Sequence, residues 1–357
     1  MPIAAGRDIR GIYLVVPIRT PIVGGPAKVT KAAANPSVDG LYLMDTWAAV
    51  EPSSGQFDWS YLDRQIAEAR KLGKKVSIGI WAGSASPQWI YENGAERFST
   101  VVAIPRRREF CEPISLPIPW DPIFLAEQEK LIREMGTHFR DAPDVVMIKV
   151  TSISYRTDEL LLPRERGREV RGEAIADYRV CRYPDDISNW KRIGYTSGKV
   201  SDAFRHLMEQ YNAAFPDKML ALMLGRDGFP SIGRVGESDP AAANLPVSTL
   251  LPIATGMLGD RFVMQVNNLR ADQVEPAILG ASRGGTKIGF QAAWPVTGDP
   301  HCRMTGGRSP CDQVAVFDQT IRNVIEARAA YVELFKEDIV NSKFAAILAQ
   351  AAEWFRQ

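Results

Sequence analysis

The chain has 357 residues, 45% of them hydrophobic and 24% charged, with 43 Lys and Arg against 42 Asp and Glu. That is an ordinary globular balance, able to bury a large core. The lack of a basic excess argues against nucleic acid or an anionic membrane surface as a partner, and no apolar run reaches the roughly 20 residues that a spanning helix needs.

The start, Met1 to Asp8, has no apolar signal-peptide core, which points to a cytosolic protein or to a mature form with an added Met. Strand-like apolar runs then alternate with amphipathic helical stretches along the chain. Strand one is Gly11 to Val16 and strand two is Gly40 to Asp45. A helix follows over Ser60 to Leu72, with Leu62, Ile66, Ala69 and Leu72 at helical spacing and Gly73 as its cap. Strand three is Lys75 to Trp81, and the helix Phe124 to Phe139 leads to strand four, Val145 to Val150. The helix Val200 to Phe215 precedes strand five, Met219 to Leu224, with strand six at Phe262 to Asn267 and strand seven at Lys287 to Gln291. The helix Val314 to Arg328, strand eight at Tyr331 to Phe335 and a last helix, Phe344 to Phe355, complete the pattern.

Eight short apolar strands interleaved with helices imply a parallel sheet covered on its outer face and closed on itself, a (β/α)₈ TIM barrel. An open doubly wound sheet is the alternative, but no Gly-rich dinucleotide turn follows strand one. With no repeat or low-complexity linker, residues 1–357 are expected to form one barrel domain. The long insertions Ser84 to Asp121 and Ser152 to Gly198 follow strands three and four, so both belong on the catalytic face.

The four cysteines leave two readings open. Cys111 and Cys181 lie in long polar segments, and Cys302 and Cys311 flank a Gly-rich loop. They either form two loop disulfides, which implies a periplasmic or secreted protein, or remain four reduced thiols in a cytoplasmic one. Their spacing matches no zinc pattern, and three histidines, with His138 and His206 on expected helices, are too few for a histidine-rich metal centre.

The run Asp45 to Asp63, DTWAAVEPSSGQFDWSYLD, is the most informative in the chain. With Arg70 to Val76 and the Pro87-Gln88-Trp89 run, it resembles the strand-two region of retaining glycoside hydrolase barrels of the β-galactosidase-like kind. The resemblance spans about fifty residues and implies a saccharide substrate and paired carboxylates acting without metal or cofactor. It also implies an acid/base Glu after strand four, commonly as Asn-Glu, and a nucleophilic Glu ending strand seven. Glu159 is the acid/base candidate, later than expected and preceded by Asp158 instead of Asn. At the strand-seven position stands Gln291, an amide that can bind a hydroxyl but cannot act as a carboxylate nucleophile. Glu333, inside the apolar strand-eight run, is the substitute, and its competing reading is a buried ion pair.

The remaining candidates are substrate contacts. Trp47, Trp81 and Trp294 stand at or just after strand ends, where indole faces suit the apolar faces of pyranose rings. Asp45, Asp227, Asn267 and Tyr155 share that rim, and Asp45 and Asp227, at the ends of strands two and five, are the reserves for the second carboxylate. Glu51 reads as structural, holding loop amides, with Gly55 allowing a tight turn and Phe57 and Trp59 stapling it down. Two rival functions stand beside glycoside hydrolysis. One is a catalytically silent carbohydrate-binding barrel, kept open by Gln291. The other is a Schiff-base lyase using Lys149 in strand four. Sugar, linkage, stereochemical course and oligomeric state stay open.

Overall fold

A computed structural model describes residues 8–105, 108–155, 159–172, 179–223, 228–230, 232, 245–274, 276–299, 301–307 and 311–357. Eight strands close into a barrel: β1 Gly11–Val15, β2 Gly40–Thr46, β3 Lys75–Trp81, β4 Val145–Val150, β5 Met219–Met223, β6 Phe262–Leu269, β7 Lys287–Ala292 and β8 Tyr331–Leu334. Every neighbouring pair is parallel, β8 pairing β1 to complete the ring. Each strand is followed by a helix: α1 Ala27–Ala33, α2 Ser60–Lys71, α3 Pro122–Phe139, α4 Ser197–Ala214, α5 Leu251–Leu258, α6 Pro276–Arg283, α7 Gln313–Glu326 and α8 Ala345–Arg356. The expected (β/α)₈ barrel is the fold.

Three helices, α1, α5 and α6, lacked a readable signal. α1 is a short run of small residues between Pro26 and Asn35. α5 is apolar on nearly every face, and α6 carries Gly280 at its centre. α1 does bury one stripe, Val29, Ala32 and Ala33, but seven and eight residues in α1 and α6 give too few turns for a stripe to stand out.

The barrel interior explains the strand sequences. Residues alternate between the helix layer and the axis, so Leu41 and Leu43 join the outer core while Tyr42 and Met44 point inward. Three tyrosines fill the axis, each opposite a glycine. A Cβ on Gly40 would lie 2.3 Å from the Tyr13 ring, one on Gly289 2.2 Å from Tyr331, and one on Gly79 2.6 Å from the Tyr42 hydroxyl. Nearer the carboxyl ends, Val15, Tyr42 and Met44 pack with Ile18, Trp81 and Phe335 to floor the mouth.

Both insertions rise from that end as predicted. The first carries an antiparallel hairpin, Arg97–Val101 with Pro113–Pro117, and the second another, Glu169–Arg171 with Val180–Arg182. The open cysteine question resolves as two disulfides, Cys111–Cys181 between the insertions and Cys302–Cys311 within the loop after β7. The Tyr155 hydroxyl donates to the Val101 carbonyl, and Arg179 Nη2 donates to the Arg108 carbonyl at 3.3 Å, so the insertions are tied by more than sulfur. Among the described residues no helix is long and apolar enough to cross a membrane.

Candidate active site

The turn after β2 is held from within. Glu51, almost fully buried, accepts the Trp47 indole N–H at 2.7 Å and the Gly55 amide at 2.8 Å. Burial raises its carboxyl above the ordinary range while those two donors pull it back. Gly55 adopts φ 75°, where a side chain is strained, and Phe57 stacks on Trp59, which packs on His138 and Phe139. The structural reading of Glu51 and its loop is the one the geometry supports.

The same loop corrects two expected substrate contacts. Trp47 has no exposed surface; it packs edge-on against Trp89 and at a tilt against Phe124 and is a core residue, closed to a sugar. Asp45 faces the helix layer, where both carboxylate oxygens receive Arg19 Nη1 at 3.1–3.2 Å and Oδ1 also takes the Thr46 amide. A strand residue of that parity cannot line the barrel axis. Asp227 lies outside the described residues.

Inside the barrel, β4, β6 and β8 bring together Lys149, Gln265, Tyr331 and Glu333. Lys149 and Glu333 form an ion pair with no exposed surface on either side chain. Lys149 also donates to Gln265 Oε1 and, at 3.1 Å, to the Tyr331 hydroxyl, and it stands over the rings of Tyr42 and Tyr331 at 4.8 and 4.9 Å. Gln265 Nε2 donates to Glu333 Oε2 at 2.7 Å and to Asn267 Oδ1 at 2.9 Å. A charge pair so enclosed is tolerable because every oxygen and the ammonium are engaged. As it stands, Glu333 touches no solvent, which is the setting of the buried ion pair that its place in an apolar run also suggested. Lys149, capped on all sides, is likewise closed to a carbonyl substrate, which removes the ground for a Schiff-base lyase.

Above this network lies the mouth. Gln291 on β7 is in direct register with Glu333 on β8 and is half-buried, as is Asn267 on β6. Trp81, at the end of β3, is half-buried, and its indole N–H meets no acceptor among the described residues. Trp294 is half-buried beyond β7, with the Arg303 guanidinium 4.8 Å from its ring and Arg303 in turn held by Asp299 at 2.9 Å. Glu159 is half-buried next to Leu160, whose amide donates to the Met223 carbonyl at the end of β5. Tyr155 is half-buried where it bonds Val101.

Sequence reasoning missed Phe335 and Ile18, which join Trp81 and Met44 in an apolar wall on one side of the mouth. Phe335 was legible as an inward position two after Glu333. It also missed Ser152, at the end of β4, whose φ of 132° is a strained value for a residue with a side chain. Gln128 on α3 donates to its hydroxyl and holds it there.

Comparison with known proteins fits this geometry. A family model described as beta-galactosidase matches residues 43–155. Over that third of the chain the sequence is similar to the beta-galactosidases. The match runs from β2 to the loop after β4 and includes the Trp47–Glu51–Gly55 turn. Beta-galactosidase BbgII of Bifidobacterium bifidum is 30% identical over 129 residues, a stretch covering 34% of this chain and 17% of that protein. In structure, the catalytic domain of beta-amylase from Paenibacillus polymyxa superposes with a TM-score of 0.60 at 11% identity, over 97% of this chain and 99% of that one. A beta-galactosidase from the Antarctic haloarchaeon Halorubrum lacusprofundi gives 0.52 at 12% identity, over 97% of this chain and 58% of that one. At such identities the structural likeness speaks for the barrel alone.

Proposed function

We propose that this protein is a glycosidase that holds its sugar at the carboxyl-end mouth of the barrel, with Glu159 giving the proton to the departing oxygen. The observation that carries the reading is that the β-galactosidase-matching segment supplies β2, β3, β4 and the loops at their carboxyl ends, which are part of the rim itself. The two sides of the mouth suit a pyranose. Trp81, Phe335, Met44 and Ile18 offer an apolar wall to a ring face, while Asn267 and Gln291 offer neutral amides to hydroxyl edges. Gln291 then binds a hydroxyl, and Glu333 serves as the second carboxylate only once it is released from Lys149 and Gln265. Residues 1–357 act as one barrel domain, and the two disulfides support an oxidising compartment, the periplasm or the exterior.

A second reading, a sugar-binding barrel without hydrolysis, draws on one observation: Glu333 is sealed in its pair with Lys149, and its register partner on β7 is the amide Gln291. One experiment separates the two. Aryl and natural glycosides are assayed for turnover, and binding of the free sugars is followed by calorimetry. Turnover that falls about 10²–10⁴-fold on natural glycosides in Glu159→Gln, and less on activated aryl glycosides, supports the glycosidase. Sugar binding with no turnover on any substrate supports the silent barrel.

A further inference from the structure

Two arginines on the carboxyl-end rim are held in different ways. Arg270, just beyond β6, gives Nε and Nη2 to the two oxygens of Asp272, a closed pair. Arg303 gives only Nε to Asp299 Oδ1, at 2.9 Å. The rest of Asp299 is taken by backbone: Oδ2 accepts the Arg303 amide at 2.6 Å, and Oδ1 also accepts the His301 amide at 3.3 Å. Nη1 and Nη2 of Arg303 are left without an acceptor among the described residues. The guanidinium is held all the same, with its Cζ over the Trp294 ring at 4.8 Å and the Cys302–Cys311 bridge next to it in sequence. The Met304 carbonyl, one residue on, accepts the Ala271 amide at 2.9 Å, so Arg303 stands between the exits of β6 and β7. Those are the strands that bear Asn267 and Gln291. The Arg303 side chain keeps 27% of its surface open, enough to be reached yet dry enough for its charge to count.

We propose that Arg303 is a specificity-determining residue that takes the carboxylate of an acidic sugar, a uronic acid unit, on its two Nη groups. The proposal rests on the carbohydrate reading above and names its substrate class. Two parallel N–H donors match the two oxygens of a planar carboxylate, and such charge-assisted bonds are roughly twice as strong as neutral ones. Trp294 against the guanidinium face and Asp299 at Nε fix the plane of the fork before a ligand arrives, so little side-chain freedom is lost on binding. A neutral sugar presents an uncharged hydroxyl in that place, which cannot fill the fork.

Titration calorimetry at neutral pH compares D-galacturonic acid with D-galactose and D-glucuronic acid with D-glucose. Each pair differs only in whether the exocyclic carbon is a carboxylate or a hydroxymethyl group. In the wild type at least one uronate should bind about tenfold or more tightly than its neutral partner. Arg303→Gln should lose that preference while its affinity for the neutral sugar holds, an outcome that a purely structural clamp on Trp294 would not give. Arg303→Lys keeps the charge without the planar fork and should retain only part of the preference. Arg270→Gln, at the closed pair, should keep all of it. The proposal is overturned if neither uronate outbinds its neutral partner, if Arg303→Gln or Arg303→Lys keeps the full preference, or if Arg270→Gln loses it equally. Preference for D-galactose 6-sulfate with none for either uronate also overturns it, putting a sulfate ester in place of the carboxylate. In all of these outcomes neutral sugars still bind and the carbohydrate reading stands, whereas a wild type that neither binds nor cleaves any sugar removes both.

Discussion

Tyr13 and Gly40 face each other across β1 and β2, in direct register, and the tyrosine ring occupies the space a Cβ on Gly40 would need. The same relation joins Tyr331 to Gly289. Both rings are fully buried and meet at 5.4 Å between centroids, so neither can move aside cheaply. Gly40→Ala and Gly289→Ala should each cost about 1–3 kcal/mol by overpacking, measured by urea unfolding. A loss below about 0.5 kcal/mol would mean that the axis is looser than the tyrosine–glycine pairing implies.

The buried pair should show strong non-additivity. Lys149→Met and Glu333→Gln each leave a partner unmatched in a sealed space, at about 3–5 kcal/mol. The double variant Lys149→Met/Glu333→Gln removes both charges and should cost clearly less than the sum of the single changes. Simple additivity in urea titrations would show that the two groups do not depend on each other.

Asp186, buried within the second insertion, should give the protein a pH-dependent weakness. Its Oδ2 accepts the Glu165 amide at 2.9 Å, and burial pushes its carboxyl up to about 6, aided by Glu165 and Asp185 and opposed by that amide and the Thr100 hydroxyl. A raised folded value means that the native state holds the proton more tightly than the unfolded chain, so this group's contribution falls as pH rises from about 4 to 6. Asp186→Asn keeps the acceptor and cannot ionise. Its melting temperature relative to wild type should climb across that window, and a constant offset from pH 4 to 7 would refute the assignment.

The two disulfides should differ in worth. Closing the chain between Cys111 and Cys181, 70 residues apart, is worth about 4 kcal/mol in the chain-entropy model, against about 2.5–3 for Cys302 and Cys311, 9 apart. Pairwise replacement by Ser, followed by thermal unfolding, should rank them in that order. Four thiols that alkylate freely before reduction, seen by intact mass, would contradict both bridges.

Trp81 should matter for ligand and not for folding. Trp81→Ala removes part of the apolar wall from a half-buried position and should weaken sugar binding by about 1–3 kcal/mol. Trp47→Ala should do the opposite, unfolding the protein at lower denaturant because it opens a cavity in the core. Equal effects of the two on affinity would undo the distinction between wall and core.

Much of the frame was legible because periodicity survives translation into structure. The strand runs and the amphipathic helices each announced one buried face, and the Trp47 to Asp63 loop carried a recognisable turn. What failed had a common cause: position along a strand was readable, but direction was not always used. Trp47 and Asp45 do stand at a strand end, yet one packs into the core and the other faces the helices. Glu333 was correctly seen as anomalous within an apolar run, but its partner Lys149 lies 184 residues away, and only closure of the barrel brings them together. Phe335 could have been found by counting alternate residues from Glu333. The strain at Ser152 has no sequence signature, since φ there is set by the loop that follows β4.

The Cys111–Cys181 bridge has a topological consequence. Between those cysteines lie α3 and β4, so one wall of the barrel and the helix that covers it belong to a closed covalent ring. Backbone cleavage anywhere within that ring would leave the polypeptide in one piece under non-reducing conditions, and the cut ends would stay tethered on both sides. The parts of the two insertions that lie between Cys111 and Cys181 can thus be nicked without shedding a fragment.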